Sequence, residues 1–188
     1  WAGALSEKRN LVTFDVGGHD GSGGIYSHPN NSGTAWERPT SLELIDPAFP
    51  DGSNDFQVNC GVRIQGGAFR SFGLTLKKSL RVLFKDLYGP TKLRYPLFGP
   101  DAAREFDTLI LRMESNDGYQ WENLTNVQYA RDEFARRTQL AMGSPAPHGR
   151  FLHLYLNGVY WGLYNVVERP DASFGAAYFG ADKDEWDA

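Results

Sequence analysis

Residues 151–167 read FLHLYLNGVYWGLYNVV, and this stretch decides the fold class. Asn157-Gly158 separates two apolar runs, and both residues tolerate the positive φ angles of a two-residue hairpin turn. The runs therefore predict two strands, Phe151–Leu156 and Val159–Val167. Because the strands of a hairpin are antiparallel, the sequence predicts an antiparallel sheet and not a doubly wound parallel one.

Four segments that precede the hairpin have the residue pattern of further strands. Three of them alternate apolar and polar residues, and the fourth is almost entirely apolar, which is typical of a central strand. They are Thr40–Asp46, Phe56–Gln65, Lys77–Phe84 and Asp107–Met113. Segments rich in glycine and proline separate several of them and predict turns.

One main helix is predicted before the hairpin, from an N-cap at Thr125 to Met142. Its apolar residues recur at helical spacing and are expected to form a buried stripe. The stripe consists of Val127, Ala130, Phe134 and Ala141. A shorter helix is predicted from Pro170 to about Tyr178. The predicted fold class is therefore α+β, an antiparallel sheet with one main helix.

The length of the chain, 188 residues, fits a single domain or a fragment of one. Residues 1–39 form a loop-rich N-terminal segment of that domain. The chain starts at Trp1 and ends in a charged stretch directly after an aromatic-rich one. We therefore expect it to be a piece of a longer protein, truncated at its C-terminus.

Composition argues against several partners. The 19 Lys and Arg residues are outnumbered by 23 Asp and Glu, whereas proteins that bind nucleic acid by neutralising phosphates are usually basic. No apolar run reaches the ~18–20 residues of a membrane span. Cys60 is the only cysteine, which rules out an intramolecular disulfide and a cysteine-based zinc site. The histidines show no paired metal-binding spacing, so no metal site is expected.

A cationic strand face is the first candidate site. Lys77, Ser79 and Arg81 alternate onto one side of their predicted strand, and Arg63 lies on a strand that could pair beside it. Two or three fixed cations on one face can clamp a phosphate or a carboxylate. The alternative is an ordinary solvated strand face, which spacing alone favours. Gly66-Gly67, in the following turn, could expose amides to phosphate or simply turn the chain.

Acidic residues in two segments are further candidates. Asp132 and Glu133 have i,i+4 spacing to Arg136 and Arg137, which stabilises a helix by only a few tenths of a kcal/mol per pair. These are surface pairs unless one acid points inward and orients a sheet lysine. The last candidate is the segment Glu168-Arg169-Pro170-Asp171. Glu168 ends an apolar strand, and Asp171 falls in the first turn of the predicted short helix, where a carboxylate suits the helix dipole, so capping and an ion pair are the simplest interpretation.

Several short motifs follow one another along the chain. They are WERP (36–39), GVRIQGG (61–67), KKSLR (77–81), YPLF (95–98), FDTL (106–109), RD (131–132), AMG (141–143), and YLNGVYWGLY (155–164) with ERPD (168–171). In this order they resemble the CotH kinase-like family, which is named for a bacterial spore-coat protein. The similarity runs from about residue 25 to the end of the chain.

The resemblance implies the N-lobe of an atypical protein-kinase-like fold. Such a lobe binds ATP with Mg²⁺ or Mn²⁺, and the whole domain transfers phosphate to Ser or Thr of surface or coat proteins. In the family the catalytic and metal-binding aspartates lie in a more C-terminal lobe, which we expect to be missing here. No catalytic or metal-binding residue is therefore expected in residues 1–188, which alone should not transfer phosphate. The resemblance also implies a secreted or cell-surface bacterial protein.

Mapped onto a kinase, the resemblance assigns five residues to ATP binding. They are Lys77, Arg81, Arg63, Glu133 and Glu168. Lys77 is favoured over Lys78 as the ATP-contacting lysine because it shares a predicted strand face with Ser79 and Arg81. Glu133, or Asp132 beside it, would orient that lysine. The strand that ends at Glu168 would border the adenine or the ribose.

Two other functions remain open from the sequence. The domain could be a non-catalytic adhesion or structural module that kept a kinase-like fold. The aromatic residues of the hairpin could instead form a carbohydrate-binding site, although pairing across the strands is the simpler interpretation. These residues are Tyr155, Tyr160, Trp161 and Tyr164.

Overall fold

The computed structural model describes residues 24–71, 73–118 and 127–187. These residues form eight strands and two α-helices, with short 3₁₀ turns at Thr34–Trp36, Ala68–Arg70 and Lys183–Glu185. In chain order the elements are β1 (Arg38–Leu44), β2 (Phe56–Gln65), β3 (Ser79–Leu83), β4 (Leu93–Arg94), β5 (Glu105–Phe106), β6 (Thr108–Arg112), α1 (Arg131–Ala141), β7 (Gly149–Leu156), β8 (Val159–Glu168) and α2 (Ala172–Phe179).

Six of the strands form one sheet in the order β1-β2-β3-β6-β8-β7, and every neighbouring pair is antiparallel. The short strands β4 and β5 pair separately. The predicted α+β class with an antiparallel sheet is therefore confirmed. None of the helices in the described part of the chain is long and apolar enough to cross a membrane.

The predicted hairpin is present. β7 and β8 pair from Leu156 opposite Val159 back to Gly149 opposite Val167. Asn157 and Gly158 have φ angles of 52° and 79°, as a tight two-residue turn requires. The prediction succeeded because turn chemistry and apolar alternation specify the same local structure.

Strand β2 matches its predicted range, but β3 is shorter than predicted. It begins at Ser79, so Lys77 and Lys78 lie in the segment that leads into it. The ammonium of Lys78 donates to the carbonyls of Ser71 and Thr75, which belong to the preceding turn. These bonds hold the chain in a turn where the alternation had predicted an extended strand.

The apolar core lies against one face of the main sheet. Alternate residues of the central strands point into it, and Tyr164 is buried among them with its hydroxyl donating to the carbonyl of Lys78. The core-facing residues of the four central strands include Val62, Ile64, Leu80, Val82, Leu109, Leu111 and Val166. The residues between them face the opposite side of the sheet.

Helix α1 corrects two predictions. It begins at Arg131 after an N-cap at Ala130 and ends at Ala141, whereas the predicted N-cap, Thr125, lies outside the described residues. The predicted apolar stripe does not pack on the sheet. Phe134 is 72% exposed, and the buried residue of α1 is Glu133, which is 5% exposed. The reason is that α1 covers a polar part of the sheet, where a carboxylate finds partners and a phenyl ring does not.

Helix α2 begins close to the predicted position. The side chain of Asp171 accepts hydrogen bonds from the amides of Ser173 at 3.1 Å and Phe174 at 3.4 Å. Asp171 is therefore the N-cap of α2, whereas the sequence had placed it one position inside the helix, in the first turn. The helix therefore starts immediately beyond the end of β8.

Candidate functional site

The face of the sheet opposite the core carries the candidate site. Arg63 on β2 lies directly opposite Arg81 on β3, and Arg81 lies opposite Ile110 on β6. Two residues further along β6, Arg112 lies opposite Asn165 on β8. Directly paired residues of neighbouring strands point to the same side of a sheet. These five residues therefore share one face, which we call the arginine face.

A fourth arginine lies near this face, just beyond the end of β8. Arg169 follows Glu168, the last residue of β8. Its Nε atom lies 3.6 Å from Oδ2 of Asp171, the N-cap of α2. Both charges influence Arg81: that of Arg169 opposes its protonation, and that of Asp171 favours it. Arg169 was not among the residues predicted to bind ATP.

Arg81 is the electrostatic centre of the arginine face. Burial, together with the charges of Arg169 and Arg63, lowers the pKa of Arg81 to about 10. Its Nε atom is buried and has no hydrogen-bond partner among the described residues. A cation with buried donors and like-charged neighbours is stabilised by any anion that reaches it. The strand register confirms that Arg63 lies opposite Arg81. The two guanidinium groups and the unpartnered Nε of Arg81 suit an anionic ligand.

Glu37 closes one side of the arginine face. Both of its carboxylate oxygens lie 2.8 Å from the Lys85 ammonium, and Tyr88 donates to it at 2.9 Å. Its Oε1 lies 4.0 Å from Nη1 of Arg63. Burial raises the pKa of Glu37, but the hydrogen bonds and charges of these partners outweigh it, so the pKa is lowered overall. Glu37 thus stays ionised and anchors the edge where Arg63 lies.

Helix α1 meets the arginine face through charged side chains. Nη1 of Arg112 lies 2.8 Å from Oδ2 of Asp132, and the same oxygen lies 3.1 Å from Nε of Arg136. Glu114, just beyond the end of β6, places Oε1 3.7 Å from Nε of Arg112. Burial raises the pKa of Glu114 to about 7, although the charge of Arg112 opposes the shift. Arg112 is therefore the strand cation that an acid of α1 contacts.

Glu133 does not orient Lys77, contrary to the prediction. Its carboxylate accepts from Arg136 at 2.9 Å, from Arg137 at 2.6 Å and from the Asn165 amide at 3.0 Å. Arg136 also donates to Asn165. Periodicity could not reveal this, because the partner on the sheet is an asparagine within an apolar strand. Glu133 fastens α1 to β8.

Lys77 lies beyond the end of β6, apart from the pair formed by Arg63 and Arg81. Its ammonium donates to the carbonyl of Leu163 at 2.7 Å and contacts the Tyr129 hydroxyl at 3.2 Å. It also lies 4.2 Å from the centre of the Tyr164 ring. Burial lowers the pKa of Lys77 to about 8, although the charge of Glu114 opposes the shift. The predicted convergence of Lys77 with the two arginines rested on a strand that the chain does not form there.

Glu168 is a hydrogen-bonding centre and not an open acceptor. Its carboxylate accepts from the Tyr178 hydroxyl at 2.6 Å and from the His148 amide at 2.8 Å, and the His148 Nδ1 atom lies 2.9 Å away. These bonds join the start of β7, the end of β8 and α2. The side chain of Glu168 therefore fixes the segment in which Arg169 lies.

Sequence reasoning missed Arg112, Arg169 and Glu37 as parts of this site. A signal for Arg112 was present, because it is the polar residue at the end of the otherwise apolar strand β6 and shares its parity with Ile110. Glu37 and Arg169 lie outside any strand, so alternation assigns them no face. Within residues 24–71, 73–118 and 127–187, no group of three or more His, Cys, Asp or Glu residues could hold a metal ion.

The fold and the arginine face define an α+β protein with a candidate anion-binding surface beside a helix held by ion pairs. The chain belongs to the CotH kinase protein family, whose model matches residues 62–185. The matched segment includes the three arginines on and beside β2, β3 and β8 as well as Arg112, but not Glu37. A comparison with curated proteins finds no match.

Proposed function

We propose that these residues form the ATP-binding lobe of an atypical protein kinase and that the arginine face binds the phosphates. The carrying observation is Arg81, a half-buried cation whose Nε has no partner in the described residues. The charges of Arg169 and Arg63 disfavour its protonated form more strongly than those of Asp171 and Glu37 favour it. Guanidinium groups match phosphate oxygens in geometry and charge. Because the chain belongs to the CotH kinase family, we propose that the bound anion is a nucleotide.

In this proposal the adenine lies toward the end of β8 and the phosphates toward Arg81 and Arg63. Glu168 contributes by holding the segment that carries Arg169, and Glu133 contributes by holding α1 against Asn165. Lys77 would reach a phosphate only by exchanging its bonds to Leu163 and Tyr129. Its place in the site is therefore secondary to that of Arg81.

The arginine face fits phosphate, but the described residues do not group carboxylates for a divalent ion. Phosphoryl transfer needs such carboxylates and a positioned acceptor hydroxyl. We propose that a more C-terminal segment of the family supplies them, and that the acceptor is a Ser or Thr of a surface or coat protein. No step of that transfer is assigned to residues 1–188.

Calorimetric titration with ATP tests the proposal. We expect binding by the chain, and a loss of about tenfold or more in affinity for Arg81→Met, which keeps an apolar stem but removes the charge-assisted bonds. Arg94→Ala is the matched control, because Arg94 pairs with the exposed Glu105 on the separate two-stranded sheet. Absence of ATP binding would favour a non-catalytic module with this fold.

Transfer itself is tested with radiolabelled ATP and Mg²⁺ or Mn²⁺. Residues 1–188 should label neither themselves nor a Ser-rich protein. A longer chain that also carries the family's C-terminal segment should label one of them. Robust transfer by residues 1–188 would place the catalytic carboxylates within this sequence and refute that part of the proposal.

A further inference from the structure

The structure assigns a nucleotide-binding role to Arg112: we infer that it, and not a lysine, is the strand cation that α1 orients toward the phosphates. The inference rests on the proposed function and names a further residue of the same site. Kinases use a strand lysine that pairs with a carboxylate on the following helix. Here the sequence offers Lys77 and Lys78 for that part, and both donate to backbone carbonyls that lie outside α1.

The strand register places Arg112 on the correct face. Arg81 pairs with Ile110, and Arg112 follows two residues later on β6, so the two arginines point to the same side of the sheet. Ser79 lies two residues before Arg81 on β3, and its hydroxyl accepts a hydrogen bond from the amide of Met113, the residue after Arg112. Arg112 therefore lies one row from Arg81, on the side of the glycine-containing turn that joins β2 to β3.

The contacts of Arg112 leave it both fixed and accessible. Its Nη1 forms an ion pair with Oδ2 of Asp132 at 2.8 Å, and the same oxygen lies 3.1 Å from Nε of Arg136. Its side chain is nevertheless 39% exposed. A guanidinium has five N–H donors in a planar fork, so one edge can contact a carboxylate while another contacts a phosphate.

Neither lysine offers the same combination. Lys78 is only 2% exposed, and its ammonium donates to the carbonyls of Ser71 and Thr75. Lys77 donates to the carbonyl of Leu163 beyond the end of β6. The carboxylates of α1 are already taken by arginines, so no acid of that helix orients Lys77.

The pH dependence of ATP affinity separates Arg112 from Lys77 without any mutation. The side chains around Arg112 are Asp132, Arg136, Asn165 and Glu114. The pKa of Glu114 is about 7, so its carboxyl is already ionised above pH 8. Between pH 8 and pH 9 the charged fraction of an amine with a pKa of 8, such as that of Lys77, falls about fivefold. Dependence on Lys77 would weaken ATP binding to that extent. With Arg112 as the cation, affinity should change by less than about twofold, because a guanidinium stays charged.

Variants provide the second measurement. Arg112→Ala should weaken ATP binding about tenfold or more, and Arg112→Lys should recover only part of that loss because a single ammonium cannot replace two edges of a guanidinium. Asp132→Asn should weaken binding in the natural background and have no further effect in Arg112→Ala, since Asp132 acts through Arg112. Arg94→Ala is again the control.

The outcomes distinguish this inference from the proposed function. Binding that is unaffected by Arg112→Ala, or that falls with pH and depends on Lys77, would overturn the inference and leave an ATP-binding lobe in place. Absence of ATP binding at every pH would overturn both. Binding that is flat between pH 8 and pH 9 and depends on Arg112 would support both.

Discussion

The hydroxyl of Tyr178 donates to Oε1 of Glu168 at 2.6 Å and accepts the amide of Ala103 at 2.8 Å. Burial, reinforced by the bond to Glu168, raises the pKa of Tyr178, so the hydroxyl keeps its proton and remains a donor. The tyrosine thus links α2 to the end of β8 and to the loop before β5. The segment that carries Arg169 lies between these elements and depends on their connection.

Tyr178→Phe should destabilise the fold by about 1–3 kcal/mol, because a buried carboxylate oxygen and the Ala103 amide both lose their partner. The ring contact with Phe174, at 4.6 Å between centres, is retained in the variant. Urea unfolding followed by tryptophan fluorescence measures the change. Tyr155→Phe is the control, since that tyrosine lies exposed near the hairpin turn and should change stability by less than about 0.5 kcal/mol. Equal effects of the two changes would mean that the Tyr178 hydroxyl contributes nothing.

Gly149→Ala should disturb the contact of α1 with the sheet. A methyl group at this position would lie 2.5 Å from Oε2 of Glu133, 2.8 Å from Val167 and 2.9 Å from Nη1 of Arg136. We expect a loss of about 1–3 kcal/mol in unfolding free energy, typical of overpacking. Gly73→Ala is the control, because its added methyl meets only the Ser71 hydroxyl at 3.6 Å.

The origin of this effect can be tested by a double-mutant cycle. Glu133→Ala removes the atom that would clash first, so Gly149→Ala should cost less in that background. Strict additivity of the two changes would show that the methyl group disturbs β7 and β8 themselves and leaves α1 in place.

The sheet was predictable from the sequence where two local signals agreed. At the hairpin, Asn157-Gly158 fixes the turn, so the pairing of Leu156 with Val159 next to it followed from neighbouring residues alone, whereas the register shift between Leu154 and Tyr155 did not. The facing of Arg63 by Arg81 was predictable for the same reason, because both strands alternate and are adjacent. Such signals need no knowledge of the rest of the fold.

The partners of charged residues were not predictable in this way. Lys77 is separated from Arg81 by an even number of residues, but β3 begins only at Ser79, and the Lys77 ammonium donates to the carbonyl of Leu163 on β8. Helical spacing indicated α1 but chose Phe134 for burial, because periodicity assumes that the covered surface is apolar. The surface beneath α1 contains Asn165 and Arg112, so the helix buries Glu133 instead. Such pairings depend on residues far apart in the chain.

Lys78 should make stability depend on pH in the alkaline range. Burial lowers the pKa of Lys78 from 10.5 to about 8. Between pH 8 and pH 10.5 the unfolded chain therefore binds more protons at this site than the folded chain does, so its contribution to stability rises with pH across that window. Below pH 8 the lysine is protonated in both states, and the unfavourable burial of its charge is fully present.

Comparison with Lys78→Met isolates the effect, since Lys77 titrates in both proteins. Urea unfolding of both proteins is measured at roughly pH 7.5, 9 and 10, which covers most of the range between the two pKa values. The unfolding free energy of the natural chain minus that of Lys78→Met should increase with pH. Lys92→Met, at the exposed ion pair with Glu105, is the control for the loss of a surface lysine and should change the unfolding free energy by less than about 1 kcal/mol. A difference for Lys78→Met that does not change with pH would mean that the bonds of Lys78 to the Ser71 and Thr75 carbonyls keep it protonated throughout.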